Sequence, residues 1–286
     1  MWFVLSLASV LLLACAELLQ QRLLGKVNAF TERTSAVLTF FFQSLLTLPI
    51  LLLTPYAKDF FIVFQPTIFP KLLAVTSLAS TAMIFYLRSI KVKNISFSSI
   101  FGSVSILVAT TLGIIVFNES VHPLKFVGIF LVLCAIVLLN YRNVHLERNH
   151  FFSLISGLIF GICYTLDKSI LQSVNTLIYM FWTFLFAALF GFLLQPKNVI
   201  NSVRGKKLKA YKLIVISGIC YFLYNICTFS AYRFGGEVGK VDAINNTAVF
   251  FFILFEYFIL SHKIAVRRKI GAAVIAYVGV AILGFF

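Results

Sequence analysis

Laid against itself at an offset of 143 residues, half of its 286-residue length, the chain meets a second copy of its own pattern. Gly128 falls on Gly271, and Ile136-Val137 falls on Gly279-Val280. The small or polar set Ser99, Gly102, Ser103 falls on Asp242, Asn245, Asn246. Each half carries five long apolar runs. Five is odd, so a second copy threaded through a membrane enters from the side opposite to the first. Inverted repeats of this kind place a polar site at the interface of two halves that rock against each other.

The runs are long enough to be membrane spans, since a helix needs about 20 apolar residues to cross the hydrocarbon core. They cover 2–24, 34–54, 67–87, 94–117 and 123–141, then 151–171, 174–194, 211–232, 239–260 and 267–285. Backbone groups in lipid must be satisfied within their own segment, which selects helices. A β-barrel would show shorter stretches of alternating hydrophobicity, and these runs are continuous. The expected fold is therefore all-α and integral to the membrane. It has ten transmembrane helices in two inverted five-helix repeats, residues 1–143 and 148–286. The gaps leave no room for an extramembrane domain. Pro55, Pro66 and Pro70 mark the second connection, and Pro123 sits where a first helical turn tolerates proline.

Composition agrees. The chain is 61% hydrophobic and 12% charged, against about 45–50% and about 25% in soluble domains. The net charge of +15 does not imply a nucleic-acid partner, because Lys and Arg sit in short gaps and form no basic face. The five cysteines lie within apolar runs, without a CxxC pair, and read as small hydrophobes. The four histidines fall in loops without ligand spacing, so neither a metal nor any other cofactor is expected. Leu12-Leu13-Ala14-Cys15 resembles a lipoprotein cleavage box, but no basic residue precedes it. The stretch reads as the first membrane helix. Seventeen Lys and Arg fall in the odd-numbered connections and five in the even-numbered ones. The positive-inside rule then puts the odd connections in the cytoplasm and both termini outside.

The end of each repeat carries the most specific pattern: an apolar helix, an acidic residue at its end, a short basic turn, then a glycine-bearing last helix. The first copy reads LGIIVFNESVHPLKFVGIFLVLCAIVLL over 112–139, and the second LFEYFILSHKIAVRRKIGAAVIAYVGVAIL over 254–283. Glu119 fills the acidic position in the first copy and His262 the equivalent position in the second. On these features the chain resembles the drug/metabolite transporter superfamily, EamA type, over nearly its whole length. The resemblance implies a ten-helix secondary transporter, often an exporter of amino acids or related metabolites. It also implies termini in the cytoplasm, opposite to the charge count, so orientation stays open. The replacement of the acid by His262 makes that position more structural than catalytic.

An ionisable group within a span costs about 2.5–3.5 kcal/mol at the helix centre and is a functional candidate for that reason. Glu17, Gln20 and Gln21 in the first span match Tyr164, Asp167 and Lys168 in the sixth, each set at i, i+3, i+4. Across a pseudo-twofold axis Glu17 meets Lys168, and Asp167 meets Gln20 or Gln21. Alternatively, Lys168 and Arg22 snorkel to the headgroups. In the ninth span Asp242, Asn245 and Asn246 repeat the spacing and line a cavity or bond across a helix interface. In the eighth, Tyr221, Tyr224, Asn225 and Thr228 form a stripe suited to a substrate-facing wall or to helix packing. Glu256 either carries a coupling proton or sits at the membrane interface. Gly102, Gly128, Gly271 and Gly279 permit close helix contact.

The expected function is secondary active transport of a small polar metabolite such as an amino acid, in the export direction, by alternating access and with proton coupling. No GxxxxGK[ST] loop supports ATP hydrolysis. A flippase for a lipid or lipid-linked sugar is the alternative on the same fold. An enzyme is not expected, since no GxSxG or HExxH stands in the chain. The expected setting is a multi-pass protein of the plasma or inner membrane, monomeric or homodimeric, with the bilayer and a small molecule as partners.

Overall fold

The computed structural model describes residues 1–26, 30–91, 101–140, 148–204, 206, 208–251 and 266–285. Among them every regular element is helical. In chain order the helices are α1 (Trp2–Gln21), α2 (Glu32–Leu52), α3 (Phe69–Ile90), α4 (Val104–Phe117) and α5 (Pro123–Asn140), followed by α6 (Arg148–Leu171), α7 (Thr176–Leu194), α8 (Pro196–Val203), α9 (Leu208–Arg233), α10 (Val238–Asn246) and α11 (Val266–Phe285). Six of these are long and apolar enough to cross a membrane, and 104–117, 123–138 and 274–285 are shorter apolar helices. Local chemistry sets several ends. Thr31 caps α2 by accepting from the Thr34 amide, and Asn175 caps α7 by accepting from Leu177. Pro70 lies in the first turn of α3, where its missing N–H is not needed. The basic stretch from Lys197 read as a plain gap contains α8, a two-turn helix.

The helices are inside out relative to a soluble bundle. On α1, Val4, Leu7 and Leu11 face outward, while Ser6, Ser9, Glu17 and Gln20 are buried. This is the arrangement that lipid as solvent favours, with polar groups paired between helices. The two halves interleave. α1 packs along α9, and α3 along α6; α2 meets α7, α4 meets α10, and α5 meets α11. Exchanging the halves converts each of these packings into itself or into another of the set. Two halves laced together in this way do not form separate bodies. Gly128 of α5 and Gly279 of α11 bring two backbones together: a Cβ on either would lie about 3 Å from the other's carbonyl oxygen. Gly271 has nothing among the described residues within 4 Å of its Cβ direction.

Candidate functional site

Where α1, α2, α3, α4, α6, α7, α9 and α10 converge, they line a cavity of about 160 Å³. Three carboxylates reach it, each from a different helix: Glu17 from α1, Asp167 from α6 and Asp242 from α10. All three are at least nine-tenths buried. The tyrosine stripe of α9 delivers Tyr221, Tyr224 and Asn225 to the same space, and Tyr164 comes from one turn before Asp167. Asn245 and Asn246 complete the α10 wall. Nine of the residues expected from spacing thus meet at one cavity.

Most of these polar groups are held. Ser105 donates to Asp242 Oδ2 at 2.7 Å, and Asn246 Nδ2 donates to Asp242 Oδ1 at 2.9 Å. Asn246 Oδ1 accepts from Ser103 at 3.1 Å. Asn245 accepts from Ser9 on α1 and donates to Thr228 on α9 at 3.4 Å. The backbone explains why these amides are available: α10 stops at Asn246 with a turn at Thr247, and the helical backbone of the first half is likewise interrupted at Ser103 before α4. The two interruptions face one another through the Ser103–Asn246 bond. Tyr179 donates to Asp167, and the Tyr86 hydroxyl hydrogen-bonds Glu17. Asn225 Nδ2 donates to Gln43 Oε1 at 2.8 Å.

The remaining expectations are corrected. Lys168 does not meet Glu17: its ammonium lies 2.8 Å from Glu119 Oε1. Neither Gln20 nor Gln21 pairs with Asp167. Gln20 is fully buried against α2, accepting from Ser35 at 2.5 Å and donating to Thr39 at 2.8 Å. Gln21 is part-buried and does not line the cavity. Successive residues on a helix do not face the same way, so each trio splits between cavity and helix contact. Glu256 and His262 lie outside the described residues. Unforeseen members of the wall are Gln43, Tyr86, Ser105 and Thr183.

Lys168 belongs to a second polar assembly, at the end of the bundle where α4 and α6 finish and α5 and α10 start. Asn118 adopts φ 51° and turns the chain so that Glu119 folds back over Gly113, whose missing side chain leaves the room. Glu119 takes Lys168, Lys125 at 3.4 Å and the Val238 amide at 2.7 Å. Lys125, fully buried, also meets Glu237, as does Lys240 at 2.9 Å. Burial opposes the charge on Glu237. Hydrogen bonds from Lys125, Lys240 and Ser120 outweigh it and hold that carboxyl below its usual value. Beside this assembly an aromatic layer closes the same end: Phe60, Phe61, Phe64 and Phe186 pack around Trp182, whose indole N–H donates to the Phe60 carbonyl at 2.8 Å.

Among the described residues no group of His, Cys, Asp or Glu forms a set that could hold a metal. The model of the EamA-like transporter family matches the sequence twice, over residues 1–141 and 148–285. A solved crystal structure shares the fold, with a TM-score of 0.70 over 96% of this chain and 96% of its own at 15% identity. No curated protein matches the chain.

Proposed function

The chain belongs to the EamA-like transporter family, a multi-pass membrane transporter of the drug/metabolite type, and from that premise we propose that the central cavity carries a small polar metabolite by secondary active transport. The cycle is alternating access, the direction export, and the coupling ion a proton. Ten spans in two inverted repeats, residues 1–143 and 148–286, frame the cavity, in the plasma or inner membrane. The observation that carries this reading is the meeting of Glu17, Asp167 and Asp242, from helices of both repeats, at one cavity within the bundle. Buried carboxylates without a fixed counter-charge are costly in low dielectric, and a transporter that loads a solute or a proton there relieves the cost in one half of its cycle.

The cavity volume suits a solute about as large as benzene, which fills an engineered cavity of about 150 Å³. That favours a metabolite over a lipid-linked sugar. The test is flux from vesicles reconstituted with the purified protein. Asp167→Asn or Glu17→Gln abolishes flux and leaves insertion and yield intact. Undiminished flux in both variants removes the reading.

A further inference from the structure

The end of the bundle opposite to the Glu119 assembly holds a second cavity, a cleft of about 700 Å³ between the start of α2, the end of α3 and α8. Four cations line it, Arg33, Arg88, Lys91 and Lys206, against one acid, Glu32. Glu32 is taken by Lys91 at 3.1 Å. Arg33, Arg88 and Lys206 have no acidic partner among the described residues. Arg88 lays its guanidinium over Phe152 at 4.3 Å from the ring centre, a contact that steadies the side chain and leaves its charge in place.

Basic residues at span ends ordinarily reach out to water or headgroups. Arg33 does not: its Nε and Nη1 are buried and have no hydrogen-bond partner among the described residues. It also sits in the first turn of α2, at the positive end of the helix dipole, where an anion is favoured and a cation is not. A guanidinium held there with unpaired donors costs stability, and an anion in the cleft relieves both penalties at once. α8 adds neutral donors. Its Asn201 and Ser202 line the same cleft, and Ser202 Oγ accepts from the Thr31 amide at 3.2 Å, which ties α8 to the start of α2. The volume lies in the range of about 300–1,000 Å³ that small-molecule sites occupy, room for a substituted phosphate rather than a bare ion.

We propose that this cleft is a second binding site, sharing no lining residue with the central cavity, for a phosphate monoester anchored on Arg33 and flanked by Arg88 and Lys206. Three cations from three different segments suit a tetrahedral anion with three oxygens to share better than a planar carboxylate, and guanidinium is the side chain matched to phosphate. Two sources carry this chemistry at the end of a membrane bundle: the headgroup of phosphatidic acid and a soluble phosphate ester. The site does not depend on which solute the central cavity carries.

The test uses the full chain purified in an uncharged maltoside detergent. In one arm glycerol 3-phosphate is titrated, by thermal shift and equilibrium binding, against glycerol and against sodium chloride at equal ionic strength. In the other, phosphatidic acid retained by the protein is counted by native mass spectrometry against phosphatidylcholine. Preferential binding is expected in at least one arm, and the arm that responds names the source. Affinity should fall about tenfold or more in Arg33→Gln and in Arg88→Gln, and stay at the wild-type value in Lys58→Gln, which alters an exposed lysine at the opposite end of the bundle. Without ligand, Arg33→Gln should melt at or above the wild-type temperature, because the Nε and Nη1 donors have no partner among the described residues to lose. No preference over the controls in either arm, or wild-type affinity in the arginine variants, overturns the proposal. Arg88→Gln decides the matter if Arg33→Gln does not fold.

Discussion

Asp167 and Lys168 are neighbours in sequence and belong to opposite regimes. Asp167 faces the cavity, where three acids meet no base among the described residues. Lys168 faces the end of the bundle, where three ammonium groups and two carboxylates lock together. Both sites are buried, both are ionic, and both draw on helices of the two repeats. They differ in what satisfies the charge. In the end assembly the protein supplies both signs, and the geometry leaves little to be gained from a ligand. At the cavity it supplies one sign, together with hydroxyl and amide donors that orient the carboxylates without neutralising them. Burial of charge therefore does not by itself mark function in a membrane protein.

Substitutions in the two regions should differ most in their cost to stability. The largest loss is expected for Glu119→Gln. Removing the carboxylate leaves Lys168 without its partner and Lys125 with one fewer, and breaking a buried ion pair costs about 3–5 kcal/mol. Thermal unfolding in detergent should show a fall of many degrees, and cavity ligands should not restore it. A wild-type melting temperature would mean that the assembly is not what holds this end together. Gly157→Ala comes next. Gly157 lines the cavity, and a Cβ there would overlap the Gly102 carbonyl. The backbone cannot yield as a side chain can, so α6 must shift, at about 1–3 kcal/mol. Gly271→Ala is the control. Its Cβ meets nothing within 4 Å among the described residues, and alanine should be neutral or stabilising by up to about 1 kcal/mol.

Much of this contrast was legible before the coordinates. The duplication, the positions of the apolar runs and nine of the cavity residues follow from spacing, because polar residues at i, i+3, i+4 in an apolar run must share a face that avoids lipid. Which member of a set looks into the cavity does not follow. Gln20 and Lys168 sit among residues that do line it, but small rotations about α1 and α6 turn them to Thr39 and to Glu119. Gln43 has polar companions at helical spacing, Thr39 and Thr47, but such a stripe reads equally as helix packing, and Tyr86 is one aromatic among many in an apolar run. The interleaving of the repeats was equally hidden. A repeat in sequence fixes which helices are equivalent, not which ones pack, and the contacts between α1 and α9 and between α3 and α6 join helices of different halves.

A smaller effect is expected from pH. Glu237 has its carboxyl held below the usual value by its lysine partners. A group of this kind contributes stability that is fully present above its unfolded pKa and lost as pH falls through its folded one. Stability should therefore be level above pH 4.5, the ordinary value for a glutamate, and should decline below it. Glu237→Gln should flatten part of that decline. The effect is modest because the side chain is 18% exposed and salt screens it. Identical acid profiles for the two proteins would show that Lys125 and Lys240 do not depend on this charge.

The smallest cost in stability should come from Asp167→Asn. The amide keeps the shape of the carboxylate, and its oxygen still accepts from the Tyr179 hydroxyl. It also removes a buried carboxyl group that no cation among the described residues offsets, so unfolding should be unchanged or slightly raised in temperature. Lys168→Met, one residue on, deletes a partner of Glu119 and should lower it. If Asp167→Asn is as damaging to the fold as Lys168→Met, the cavity acids are structural, and the distinction between the two regions collapses. If it leaves the fold intact, Asp167 is retained at a cost that packing does not explain, and the explanation must lie in what enters the cavity.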